Sequence, residues 1–326
     1  MLLPRPRGSL SESVFDQLRR FPDEPVHLAA DPETFAPDST DDAAITLWVL
    51  HELHHRGFED VDPAMEWHPA LAPVRHRLDG DLEQTLRARF PGTPEIDDPA
   101  DPASFAEAFF AYVAGHDGSS LAAHVHRHAD EEQVLELLRW RSVYHLKEAD
   151  PTTWVLPRLP APAQAALAEV QYDEYGAGAP GRVHRELFAR AMAACGLRPE
   201  HGAYVDEVPA EVLEQNAAMT LFGLHRRLRG AAVGHFAAFE ATSSLPSRRM
   251  ALGLERLGLA QELVDYYSEH VEADAVHEQL AVRSLAGTLL ADEPQLLDDV
   301  FLGAFSCLDL EDRVAGRFLE RQGVAA

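Results

Sequence analysis

The chain has 326 residues, 46% of them hydrophobic and 25% charged, which excludes a disordered chain and suffices for one large domain or two modest ones with an apolar core. Its 54 acidic residues against 28 Lys and Arg give a formal charge of -26, which repels phosphate backbones and anionic lipid and so argues against nucleic acid and membrane as partners. Two cysteines, Cys195 and Cys307, make neither a disulfide framework nor a thiolate zinc site, and without a signal-type apolar run after Met1 or a stretch of transmembrane length a cytoplasmic protein is expected.

Apolar residues recur at helical spacing and alternating β-branched runs are missing, so the expected fold is all-α. Ser9 and Glu12 read as a capping box opening a short helix, followed by a Pro/Asp-rich stretch over residues 31–41. A helix over residues 41–56 should stop at Gly57, and after a loop rich in Pro, Gly and Asp over 91–102 another should open at Ser104 and Glu107 and end near Gly115. The next, over residues 130–149, ends before Pro151 and buries a stripe of Val134, Leu137, Leu138, Arg141, Tyr144 and Glu148. Beyond the Pro-rich segment 157–162 the pattern predicts a helix over 165–175, a Gly/Pro interruption over 176–181 and a second run over 183–195. A long helical region over 210–243 places Val233, Phe236, Ala237 and Glu240 on one stripe, a helix spans 260–290, and a last helix or pair fills 294–321.

Within the 260–290 helix, His270, Asp274 and His277 stand at i, i+4 and i+7, so at about 100° per residue they share an arc of about 60°. Their stripe runs on through Leu263 and Tyr267 one way and Ala281, Ser284 and Thr288 the other, which makes it core-facing. A single histidine on such a face is usually a satisfied core residue; two with an aspartate in register read as a metal-ligand face. Imidazole and carboxylate without thiolate favour iron, manganese or zinc over copper(I) or an iron–sulfur cluster. Glu148 and Glu240 join core-facing stripes elsewhere, although either alone is more often a capping or ion-paired residue. Glu174 and His184 flank Tyr175-Gly-Ala-Gly-Ala-Pro-Gly181; a straight helix would hold them about 15 Å apart, but the Gly/Pro run must break it and can turn both side chains inward.

Together Glu148, the Glu174/His184 pair, Glu240 and the His270/Asp274/His277 set resemble the haem-oxygenase-like diiron oxidases, also called iron-containing redox enzymes, over roughly residues 130–290. The resemblance implies a haem-oxygenase-like helical bundle without haem, spanning residues 126–326, with residues 1–125 as a helical extension packing on that core or on a second subunit. It implies two irons held by Glu148, Glu174, His184, His270, Asp274 and His277, with Glu174 bridging and Glu240 an additional or mobile ligand. It also implies dioxygen as co-substrate, an external electron donor, a peroxo-diferric species and a homodimer. N-oxygenation of an amine or guanidine is the favoured activity, ahead of desaturation or C–C fragmentation of an amino or fatty acid. A non-catalytic helical partner protein with a structural metal is the reading from a different class. Arg141 and Tyr144, near Glu148 on its stripe, and Trp154 are candidates for contact with substrate, Arg141 being equally suited to a structural ion pair.

Other motifs compete. His51-Glu52-Leu53-His54-His55 fits the HExxH zinc pattern but lacks an evident third ligand and is expected to lie on an N-terminal packing helix. His124, His126 and His128 diverge on a helix and read as surface; Cys195, Cys307, Trp48, Trp67 and Trp140 read as packing groups.

Overall fold

Helical periodicity becomes helix throughout. The computed structural model describes residues 1–24 and 36–324, with the backbone alone for residues 272–276, and no strand occurs among them. The helices are α1 (Ser9–Arg20), α2 (Thr40–Glu52), α3 (Ala72–Arg89), α4 (Pro102–Ala114), α5 (Leu121–Arg127), α6 (Glu131–His145) and α7 (Asp150–Thr153). There follow α8 (Ala161–Glu174), α9 (His184–Ala194), α10 (Ala210–Leu224), α11 (Arg229–Leu257), α12 (Gln261–Gln279), a π-helical turn pair (Leu280–Gly287), α13 (Thr288–Asp292) and α14 (Leu297–Arg321).

At the centre stands α11, which packs against α14, α12 and α5. Its approach to α14 depends on two glycines: a Cβ on Gly234 would collide with the Val300 carbonyl, and one on Gly303 with the Ala231 carbonyl. Two apolar clusters lie on either side. One gathers Phe15, Trp48, Trp140, Phe188, Tyr266 and Phe318, and the other Phe105, Phe109, Phe222 and Phe301. Both draw on residues before and after 125, and α2 lies along α10.

Several local expectations shift. Gly8 rather than Ser9 caps α1, and its free amides go to other parts of the chain: Asp42 takes those of Leu10 and Ser11 at 3.1 and 2.8 Å, and Asp38 that of Ser9 at 2.7 Å. Asp101, not Ser104, caps α4, because Pro102 occupies the first helical position, where a missing N–H costs nothing. The region 210–243 is two helices, broken where His225 turns extended and its Nε2 meets Asp79 Oδ2 at 3.0 Å. The 260–290 helix changes to π winding after Gln279, so Ala281, Ser284 and Thr288 do not prolong the His270–His277 stripe in straight α register. The most consequential change is at α6, which ends at His145. Pro151 sits in the first turn of α7, which opens at Asp150, instead of merely ending α6, and Glu148 sits on the connecting turn, not on the α6 stripe.

Candidate metal centre

Glu174 is the last residue of α8 and His184 the first of α9. Between them Gly176, Ala177 and Gly178 take φ of 82°, 51° and 83°, and a Cβ on Gly176 would meet Ala179 O at 2.5 Å and Val183 N at 2.6 Å. This left-handed turn reverses the chain and brings Glu174 Oε2 to 3.0 Å from His184 Nδ1. From α12, the rings of His184 and His270 lie 4.8 Å apart, and His277 Nδ1 stands 3.7 Å from Glu240 Oε2 of α11, a charge contact longer than a hydrogen bond. Single donor atoms of Glu174, Glu240 and His277 all fall within 4.8 Å of one another, and all three residues are buried. The side chain of Asp274 lies outside the described residues. Glu148, its side chain 9% exposed, borders a small crevice with Glu174 and His184.

Two of the imidazoles, on α12, have one nitrogen assigned and the other left over. His270 Nδ1 donates to the Tyr266 carbonyl at 2.7 Å, leaving Nε2 buried without a partner. His277 Nε2 meets Asp173 Oδ2 at 3.3 Å, leaving Nδ1 toward Glu240. Glu174 Oε2, His184 Nδ1 and Glu240 Oε2 are likewise buried without a hydrogen bond, the Glu174–His184 contact being close but off the bonding line. Orphaned polar atoms at this density are costly unless something answers them, and oxygen and nitrogen donors answer a borderline or hard cation. The backbone carbonyl and the carboxylate behind the rings are what metal-ligating histidines carry on their second nitrogen. Electrostatics agree: burial, then the charges of Glu174 and Glu148, push Glu240 up, while Glu240 and Asp173 raise His277 against its burial. Glu148 is held low, against burial, chiefly by His145 and then by His270 and His184. The residues present fit a metal.

Beside the centre opens a cavity of about 260 Å³ whose wall includes Glu148, His270, Tyr144, His145 and Tyr266. The same wall carries Arg141, paired with Glu311 (Nη1 to Oε2 2.7 Å) and with Gln215 bound to the same carboxylate at 3.0 Å, and His116 paired with Asp312 at 2.7 Å. Arg141 and Tyr144 therefore line the cavity, Arg141 already holding an acid partner. Trp154 is 37% exposed and is not among the lining residues.

The HExxH-like segment disperses its side chains. His51 Nε2 meets Asp79 at 2.8 Å, His54 lies between Glu66 at 3.3 Å and Arg75, His55 reaches Thr220 at 3.3 Å, and Glu52 faces Lys147 and His201. Burial, then the Lys147 charge, lower His55 to about 3. Burial opposes ionisation of Glu52, but Lys147 and His201 overcome it and hold its carboxyl well below the usual range. Contrary to the surface reading, His124 is buried on α5. Trp67 is 65% exposed rather than a core packing group.

Sequence reasoning missed Asp173, Tyr266, His145 and Lys147. Two of them carried a signal: Tyr266 is i−4 from His270, one helical turn away on the same face, and Asp173 adjoins Glu174. Tyr266 also bonds His145 Nδ1 at 3.0 Å and approaches Glu148 Oε2 at 3.5 Å.

Fold and site together define an all-α bundle with a buried histidine–carboxylate cluster fit for a metal. Residues 135–312 match the family model of the iron-containing redox enzymes, and the chain belongs to that family, in keeping with the haem-oxygenase-like bundle that the motifs implied. A comparison with curated proteins finds no match. Among solved structures, the chain is similar to the crystal structure of a CADD-like protein of unknown function from Nostoc punctiforme, at 13% identity over 74% of this chain and 97% of that one, with a TM-score of 0.48. No helix among the described residues is long and apolar enough to cross a membrane.

Proposed function

We propose that the protein is a non-haem diiron, dioxygen-dependent N-oxygenase acting on an amine or guanidine nitrogen of a small metabolite, with Glu148, Glu174, His184, Glu240, His270, Asp274 and His277 as its ligand set. The observation that carries the reading is the group of five buried, unpartnered donor atoms on α8, α9, α11 and α12, next to a cavity that Glu148 and His270 help to wall. Four carboxylates and three imidazoles leave two divalent ions close to electroneutral, a balance that one zinc ion does not reach. When bound, the irons supply electrons and open positions at which dioxygen is activated.

The chain's residues do the rest. Asp173 and the Tyr266 carbonyl fix the His277 and His270 rings. Tyr144, Met219, Phe239 and Met250 make much of the cavity wall apolar, which excludes water and lowers the basicity of a bound amine, so that its nitrogen lone pair is free to react. The acidic chain as a whole suits the cationic form that arrives from solvent. One oxygen atom passes to nitrogen; the other leaves as water, using two protons and two electrons that an external donor returns. A homodimer belongs to this reading, and light scattering should give about twice the 36.0 kDa chain mass.

The test is reaction of ferrous-loaded protein with isotopically labelled dioxygen and a panel of amino and guanidino compounds, analysed by mass spectrometry. A hydroxylamine, nitroso or nitro product with label on nitrogen is expected. An alkene or a shortened carbon chain instead moves the protein to desaturation or fragmentation, and failure to consume dioxygen with any compound leaves a structural metal site.

A further inference from the structure

Lys147 is the only lysine among the 28 Lys and Arg residues of the chain, and it is next in sequence to Glu148. It is also buried. Its Nζ lies 2.9 Å from Glu52 Oε2 and 5.7 Å from the centre of the Trp48 ring, and Glu52 Oε1 lies 3.1 Å from His201 Nε2. An ammonium on a thin unbranched stem is a compact point charge, whereas the planar guanidinium used at every other basic position needs a wider slot. The turn that follows α2 grips the same segment twice more: Arg56 donates to the Leu146 carbonyl at 2.8 Å and reaches Asp150 Oδ2 at 3.3 Å. Asp150 is held from the other side by the Tyr175 hydroxyl at 3.0 Å.

Residues 146, 147 and 150 are therefore anchored to α2 and its surroundings, while Glu148 approaches His145 and Tyr266 and borders the crevice shared with Glu174 and His184. The anchoring matters because α6 has already ended: no helical ladder holds the backbone of Glu148, and a ligand on a turn is only as well placed as its tethers. We infer that the buried Glu52–Lys147 ion pair is a positioning device, through which α2 sets the 146–150 turn and thereby the Glu148 carboxylate at one of the two metal positions. The inference rests on the reading of Glu148 as a metal ligand. The pair is neutral as a unit, so it places the ligand without changing the charge balance at the metals.

The experiment titrates full-length protein anaerobically with ferrous iron and, separately, with cobalt(II), recording metal content and the cobalt ligand-field bands at a temperature where circular dichroism shows intact helix. The variants are Glu148→Ala and the double replacement Glu52→Gln with Lys147→Met, which keeps shape while removing both charges. Glu148→Ala should lose one of two metals. The double variant should bind one metal about tenfold or more weakly and alter the cobalt bands in the same sense. Wild-type affinity and bands in the double variant, with only a lower melting temperature, would make the pair merely structural and overturn the inference. If Glu148→Ala keeps both metals, the ligand reading of Glu148 fails, and the inference goes with it. Should the double variant not fold, Glu52→Asp shortens the tether by one methylene, and the same weakening is expected; unchanged affinity there overturns the proposal.

Discussion

His270 is the clearest case of a side chain prepared for a ligand, with one nitrogen on the Tyr266 carbonyl and the other bare and buried. Replacing it with alanine should lower bound iron from two to about one per chain, because it removes a neutral donor that nothing nearby replaces. Metal analysis after anaerobic reconstitution checks this, and undiminished iron would remove His270 from the set. His235 illustrates the opposite preparation. Burial lowers its pKa to about 4, so it is neutral when folded, and it lines the cavity at some distance along α11 from Glu240. A histidine whose folded pKa is depressed binds its proton more readily when unfolded. Its contribution is present above its ordinary value of about 6.5 and is lost progressively as pH falls from there toward 4. His235→Phe should therefore flatten the decline of metal-free stability between those limits by on the order of 3 kcal/mol. Denaturant melts of both proteins across that range measure it; parallel pH profiles would show that His235 does not titrate as argued.

At the scale of elements, the turn between α8 and α9 decides whether Glu174 and His184 meet. Gly176 has φ of 82° and no room for a Cβ against Ala179 O and Val183 N. Gly176→Ala should cost about 1–3 kcal/mol in strain and displace both ligands, so iron binding should weaken more than helix content falls. Circular dichroism and iron titration on the same sample separate the two effects; full iron binding with a normal melting temperature would show that the turn tolerates the substitution. The α3/α10–α11 junction makes a second such test. Asp79 takes His51 at 2.8 Å and His225 at 3.0 Å, and those two imidazoles, against its burial, hold its carboxyl well below the usual range. Asp79→Ala strands the buried His51 ring and releases the half-buried His225, and a loss of about 3–5 kcal/mol is expected in chemical denaturation. Since the Asp79 carboxyl is depressed, its contribution is present above the ordinary aspartate value of about 4 and is lost as pH falls below it.

For the molecule as a whole, the formal charge of -26 surrounds a cavity in which Arg141 and His116 already pair with Glu311 and Asp312, so the net negative field comes from the whole chain. A cationic substrate should be drawn in by that field, so its apparent KM should rise severalfold between 20 and about 500 mM salt, while kcat changes little. Steady-state kinetics with a cationic and an uncharged substrate across that salt range would check it, and equal salt responses would show that long-range charge plays no part in capture.

The residues themselves determined a good deal. The 3.6-residue period and the absence of alternating strands set the all-α fold, because each helix had to bury one face. The i, i+4, i+7 spacing set His270 and His277 on one side of α12, because helical geometry is local. The glycines at 176 and 178 marked a reversal, since φ near 80° is readily available to little else. Tertiary structure decided what local rules cannot reach. It ended α6 at His145 and moved Glu148 onto a turn; it supplied the caps of α1 from Asp38 and Asp42. It also shared the HExxH-like side chains among Asp79, Lys147, Glu66 and Thr220, so that a pattern suited to one cation became a set of clamps between helices. The physical reason is range: periodicity and turn preference act over one or two turns of chain, whereas the partner of a buried charge is whichever group the packing of the other helices brings within about 3 Å.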